Sequence, residues 1–375
     1  MSSKISSLLI GIDLRDQQCY TELRGTENTP QPRHFYEGFG FACRLLKHAK
    51  LVMFTNVELA VGADSGVQVA SIGRARRAQR FWGASTVLGY SLSGCLIVCA
   101  AKILRPRMQR VLVLFSGPNP EGTAVKRWLR EIIYRLGVWG ATDLVAFSKA
   151  VPLLAEHWGA ACRIWYSPVT ADYNYFDRAA ESPRAPVECS RLFCLVVGDS
   201  TRDDAFIYES LKSVRIPILR ISRDPLVVMR VGRIQNLDRG DRILSRVPFE
   251  VLARLYREAA LTIYVSRFDA WQPAGATSLS ECLASGGIAL AEGGGMIEAD
   301  FRFLCGSGEK CPIRFFPRRD PVALASEVKE IVALGDRERN EWRNQSRSFA
   351  ASYLDVERSL TMFDSVLEQK DGREK

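Results

Sequence analysis

Short apolar runs alternate with segments of helical period along this chain. In the first half, runs at 6–13, 51–55, 67–72, 110–115, 143–147 and 163–166 predict strands. Helical spacing predicts helices over 35–48, 88–104, 122–136 and 149–158. Such alternation predicts a parallel sheet covered on both faces. Residues 179–190 then lose all periodicity and are rich in small residues and proline, which puts a boundary near Pro183. The rhythm restarts with predicted strands at 191–197, 216–221, 261–265 and 288–291 and helices at 203–214, 249–259, 277–284 and 296–301. From Pro321 the tail reads as helical and charged. The expected fold is α/β: two Rossmann-like parallel-sheet domains facing a cleft, residues 1–183 and 184–375, with room for the last helices to pack back on the first.

Composition removes several classes of function. The longest apolar stretch, 87–101, is broken by Gly89, Ser91, Ser93 and Gly94 and is too short for a membrane span. The run 5–10 leads straight into Gly11-Ile12-Asp13 with no cleavage signature, so it reads as a strand rather than a leader. Ten cysteines form no Cys-x-x-Cys pair, and three histidines lack neighbouring metal ligands. No metal is expected, and the cysteines suit a reducing compartment, which points to the cytoplasm.

Charge is unevenly spread. Residues 1–182 hold 22 Lys and Arg against 14 Asp and Glu, whereas the remaining residues hold 29 against 28. No acidic residue occurs from Ser65 to Pro120, a segment that includes Arg74, Arg76, Arg77, Arg80, Lys102, Arg105, Arg107 and Arg110. A field of one sign attracts an anionic partner. Arg74–Arg80 with Phe81 and Trp82, and the amphipathic 88–104 stretch, suit an anionic membrane surface; the competing reading is a solvated face over a core helix. No nucleic-acid-binding module is recognisable, so none is expected as a partner.

In open parallel sheets, ligands lie beyond the carboxyl ends of the strands. Four turns of the second half sit there. Gly198-Asp199-Ser200-Thr201-Arg202-Asp203 opens a helix whose amides favour an anion, with Arg202 available to a phosphate; a plain capped turn would look the same. The loop 266–276, from Ser266 to Gly275 and Ala276, leads into Thr277 and places Glu281 one turn inside a helix. A carboxylate there suits vicinal hydroxyls of a ribose. Gly293-Gly294-Gly295 allows close backbone approach, and Glu298 follows either as a contact or as a cap. The stretch 244–248 offers backbone groups to a base edge, or is simply a loop.

Three segments together resemble the donor domain of group 1, family 4 glycosyltransferases: VPFEVLARLYREAALTIYVS, QPAGATSLSECLASGGIALA and EGGGMIE, spanning 247–298 in order. GDSTRDD at 198–204 and ATDLVAFSKA at 141–150 extend the likeness, while the first 130 residues share only its rhythm. The resemblance implies the GT-B fold and a retaining transferase using a nucleotide sugar, with no metal or further cofactor, serving cell-surface polysaccharide or glycolipid synthesis. The implied acceptor is a saccharide or a lipid-linked one. It implies donor-binding roles for Arg202, Ser266, Gly275, Ala276, Thr277, Glu281, Gly294, Gly295 and Glu298, with Glu281 on the ribose and Arg202 on the diphosphate. No catalytic residue is assigned.

The chain departs from the family at four places. Pro273 stands where the first of its paired glutamates is expected, eight residues before Glu281. No lysine lies near Phe206, Asp13-Leu14-Arg15-Asp16 replaces a glycine-rich loop, and Ser116-Gly117-Pro118-Asn119 replaces a histidine. These losses keep a second expectation open, a non-catalytic GT-B-like binding or assembly subunit. A Rossmann oxidoreductase is disfavoured, since no G-x-G-x-x-G follows either opening strand.

Overall fold

The computed structural model describes residues 5–11, 49–55, 68–71, 86–114, 117–118, 122–181, 192–199, 201–245, 247–267, 275–306 and 311–368. They form two compact units. One holds the described residues up to Pro168 together with Glu357–Glu368, and the other holds Val169–Val356. The expected helix at 35–48, the basic stretch 74–82 and the linker around Pro183 lie outside the described residues.

The first unit contains seven parallel strands: β1 (Ile5–Gly11), β2 (Ala49–Thr55), β3 (Gln68–Ser71), β4 (Thr86–Tyr90), β5 (Gln109–Leu114), β6 (Asp143–Ala146) and β7 (Arg163–Tyr166). Their spatial order is β3-β2-β1-β4-β5-β6-β7. Its described helices begin with α1 (Ser91–Leu104), α2 (Ala124–Gly140) and α3 (Ala150–His157). The 88–104 stretch expected as one helix divides, because 86–90 pairs as β4 between β1 and β5. Strand passes directly into helix because Gly89 and Gly94 touch; a Cβ on Gly89 would lie 2.4 Å from the Gly94 carbonyl oxygen. The helix expected over 122–136 runs on to Gly140. Gly137 does not end it; Gly137 and Gly140 admit Cys95 and Cys99 of α1 against its backbone.

The second unit opens with α4 (Tyr173–Glu181), which no sequence signal marked. Six parallel strands follow: β8 (Cys194–Val197), β9 (Ile218–Ile221), β10 (Arg242–Leu244), β11 (Leu261–Tyr264), β12 (Ala289–Glu292) and β13 (Ile313–Phe316). Their order is β10-β9-β8-β11-β12-β13. Helices α5 (Asp204–Ser210), α6 (Pro225–Val231), α7 (Phe249–Glu258), α8 (Ala276–Ala284), α9 (Met296–Cys305), α10 (Pro321–Val332) and α11 (Asp336–Phe349) alternate with them or follow them. The central strands β8 and β11 are buried and apolar but for Thr262, as suits strands covered on both faces. One core cluster packs Tyr256, Leu279, Leu283, Ala289 and Phe301, and another packs Val196, Ile263, Leu290, Val328 and Ile331.

The last helix, α12 (Val356–Glu368), belongs with the first unit from Glu357 onward. Gln109 donates its amide to the Val366 carbonyl at 2.8 Å, and the Ser167 and Ser359 hydroxyls meet at 2.5 Å.

Candidate functional site

Both sheets reverse their strand order, the first between β1 and β4 and the second between β8 and β11. At such a reversal the following loops leave in opposite directions and open a crevice beyond the carboxyl ends. In the second unit the two loops meet through an isolated bridge between Arg202 and Ser266. Arg267 N–H donates to the Thr201 carbonyl at 2.9 Å, and Asp203 N–H donates to the Val265 carbonyl at 3.1 Å.

Arg202 turns inward from this bridge. Its side chain is among the largest fully buried ones in the described residues. The guanidinium donates from Nε to the Val197 carbonyl at 2.8 Å and from Nη2 to Ser278 Oγ at 2.8 Å. It also lies 5.5 Å from the centre of the Tyr264 ring. Burial lowers its pKa, and the nearby Arg220 charge adds to the effect. Gly198 and Gly275 make room for it, with φ of 127° and 106°, and a Cβ on Gly275 would fall 2.4 Å from Nη2. The guanidinium, expected on a phosphate, thus already holds two acceptors of the protein itself.

Gly275 is the residue that opens α8. Its carbonyl accepts from Leu279 N–H at 2.9 Å and from the Ser278 hydroxyl at 3.1 Å. Ala276 is buried and Thr277 half-buried. One turn on, buried Glu281 accepts from the Tyr256 hydroxyl at 3.2 Å. Burial first, and then the Glu281 charge, push the Tyr256 pKa well above its ordinary value. Residues 268–274, including Gln272 and Pro273, lie outside the described residues.

The glycine turn after β12 is a second part of the same edge. Gly294 N–H donates to Glu298 Oε2 at 2.7 Å, and Glu298 also pairs with Arg302 at 2.6 Å. Glu298 is thus committed to closing its own turn. Around Gly295, a Cβ would meet nothing within 4 Å, so the backbone there faces open space.

Two features had not been singled out in the sequence. Arg220 and Asp204 form a buried pair at 2.6 Å beneath the β8 turn, and Arg220 also donates to the Gly198 carbonyl at 2.6 Å. Arg319, the one non-glycine residue with positive φ among the described residues, follows β13. Its guanidinium reaches Asp203 and the Ser266 carbonyl, and its N–H donates to Glu292 at 3.0 Å. It ties the ends of β8, β11 and β12 together. The Pro317-Arg318-Arg319-Asp320 turn was the signal: like the four turns singled out, it is a polar turn closing a strand.

Among the described residues, no three His, Cys, Asp or Glu side chains gather as a metal site, and no helix is long and apolar enough to cross a membrane.

No protein-family model and no curated protein sequence matches the chain. Solved structures do. Anabaena Alr3699/HepE in complex with UDP-glucose is similar at 13% identity and TM-score 0.67, over 96% of this chain and 98% of that one. A glycosyltransferase from Rickettsia africae matches at 13% identity and TM-score 0.67, over 98% and 100%. An α,α-trehalose 6-phosphate synthase from Burkholderia multivorans matches at 12% identity and TM-score 0.66, over 100% of both. The fold is that of GT-B glycosyltransferases, with two Rossmann-like parallel-sheet domains.

Proposed function

We propose that this chain is a glycosyltransferase that moves a sugar from a nucleotide-sugar donor to an acceptor hydroxyl with retention of configuration. One observation carries the reading. The Arg202–Ser266 bridge lies at the strand-order reversal, and the Arg202 side chain reaches Ser278 in the first turn of α8, the helix that carries Glu281; such reversals are where open parallel sheets bind nucleotides. The fold likeness to a protein solved with UDP-glucose supports the class of donor.

In this reading the α8 start, from Gly275 through Ala276 to Thr277, faces the diphosphate, where helix amides stabilise the charge that develops on the leaving group. Arg202 acts by holding Ser278 and the Gly275 turn in place. Glu281 accepts from the ribose hydroxyls. Ser266, Gly294 and Gly295 line the backbone approach, and Glu298 shapes the glycine turn. The departing phosphate helps take the acceptor proton, and no metal or further cofactor takes part. We place the acceptor among saccharides and lipid-linked saccharides of cell-surface polymers.

The inward guanidinium of Arg202 favours a second reading, a GT-B-like subunit that binds a nucleotide without turnover. Mass spectrometry of a nucleotide-sugar panel incubated with the purified chain and saccharide acceptors separates the two. Consumption of one donor with release of its nucleotide supports transfer. Binding without consumption supports the subunit, and neither result would overturn both.

A further inference from the structure

The outer face of α2 is apolar, and nothing in the proposed transfer site uses it. Val125, Trp128, Leu129, Leu136 and Trp139 are all exposed, Trp128 by 60% and Trp139 by 50%. At about 100° per residue, they and half-buried Ile132 fall on a single arc about 100° wide. Away from the stripe Gly137 and Val138 are buried, and Gly137 and, at the stripe's edge, Gly140 close against α1. The helix is thus anchored in the fold by one side and leaves an ordered hydrophobic stripe on the other. Contiguous apolar surface of this kind marks an interaction site.

Charge identifies what it meets. Lys126, Arg127, Arg130 and Arg135 lie on α2 against Glu131 alone. The stripe ends at a cavity of about 1040 Å³ lined by Lys102, Arg135, Arg163, Trp139 and Trp158 among others. Lys102 Nζ sits 3.7 Å from the centre of the Trp139 ring and donates to the Trp139 carbonyl at 2.7 Å. Arg135 therefore borders the apolar stripe, and Lys102, Arg135 and Arg163 gather at its end beside an aromatic wall.

We propose that α2 docks the first unit onto an anionic lipid bilayer. Trp128, Leu129, Leu136 and Trp139 enter the boundary between head groups and acyl chains, while Arg135 and Lys102 meet lipid phosphates. Trp rings, short apolar side chains and flanking long basic ones are the composition of a helix lying in the membrane surface. The two Trp residues lie about 16 Å apart along the axis, so one helix face spans the contact.

The test uses the full chain with vesicles of phosphatidylcholine alone and of phosphatidylcholine mixed with phosphatidylglycerol. Co-sedimentation is expected with the anionic vesicles only and is expected to weaken as salt rises. Trp128→Glu/Leu136→Glu and Arg135→Glu are each expected to weaken it about tenfold or more. All three positions are exposed, so thermal unfolding should be unchanged. UDP-glucose calorimetry run in parallel reports the donor site separately. The proposal is overturned by no sedimentation with anionic vesicles, or by sedimentation undiminished in both variants. Displacement by inorganic phosphate alone would mark a soluble-anion site. A change of mass by light scattering in Trp128→Glu/Leu136→Glu without a vesicle effect would mark a protein interface. Either would also overturn it.

Discussion

The guanidinium of Arg202 occupies the space that a side chain on Gly275 would need. A Cβ there would lie 2.4 Å from Nη2 and 2.5 Å from Nη1. Two costs then fall on Gly275→Ala. The left-handed backbone at φ 106° costs about 1–2 kcal/mol for a residue with a Cβ. Displacing the arginine also leaves the Val197 carbonyl and Ser278 Oγ without their bonds, about 1–3 kcal/mol for each group left unsatisfied. Gly275→Ala is expected to lower stability by several kcal/mol in urea denaturation. In an Arg202→Ala background its added cost should shrink to the backbone part, because the clash is gone. Additive effects in this double-mutant cycle would show that the two residues do not share the space.

Glu281 has two roles that substitution can separate. Its carboxylate accepts from Tyr256 inside the protein and, in the proposed reading, from a ribose outside. Glu281→Gln keeps an oxygen for the tyrosine but loses the charge that strengthens a hydroxyl contact. Its stability is expected to stay within about 1 kcal/mol of the parent, while UDP-glucose affinity falls about tenfold. Glu281→Ala should lose both, leaving the Tyr256 hydroxyl buried without its acceptor. Calorimetry and urea denaturation on both variants check this, and undiminished nucleotide binding in both removes Glu281 from the site.

What the sequence disclosed here follows the physics of each feature. The strand-helix rhythm of the second half was legible because buried parallel strands are continuous apolar runs bounded by polar turns. Gly275, Ala276 and Glu281 were legible as small residues before a helix with a carboxylate one turn inside. The direction of Arg202 was not. A guanidinium at a helix start reads as a solvent-facing phosphate ligand, and only the cavity left by Gly198 and Gly275 turns it inward. Similarly, the expected helix stopped at Leu136, whereas it continues through Gly137, whose missing Cβ serves packing on Cys95. The β4 strand was hidden because Val87, Leu88 and Tyr90 continue into the apolar residues of α1 without a turn signal.

The Arg220–Asp204 pair is a bracket under the β8 turn, with side chains 0% and 1% exposed. Removing one partner leaves the other buried and uncompensated, so Asp204→Ala is expected to cost about 3–5 kcal/mol. Replacing both by apolar residues, Asp204→Leu with Arg220→Met, should recover only part of that loss. Arg220 also supplies the Gly198 carbonyl with a donor at 2.6 Å, and that oxygen would remain unsatisfied. Urea denaturation of the single and double variants measures the difference. Full recovery in the double variant would show that the Gly198 contact contributes nothing.

Burial also fixes how the protein responds to alkali. It pushes the thiols of Cys95, Cys194 and Cys282 up to about 12 from 9.0. In the unfolded chain these thiols ionise near their ordinary value, about 8.5. A raised folded pKa means that the contribution is complete below the unfolded pKa and is lost as pH climbs towards the folded one. Between about pH 9 and pH 12 each such thiol is expected to subtract about 1.4 kcal/mol of stability per pH unit, because unfolding then releases its proton. Cys282→Ala should be less stable at neutral pH through its lost packing, yet show a shallower alkaline slope. Equal slopes for variant and parent in urea denaturation across this range would mean that Cys282 ionises as readily folded as unfolded, against its burial beside Thr262.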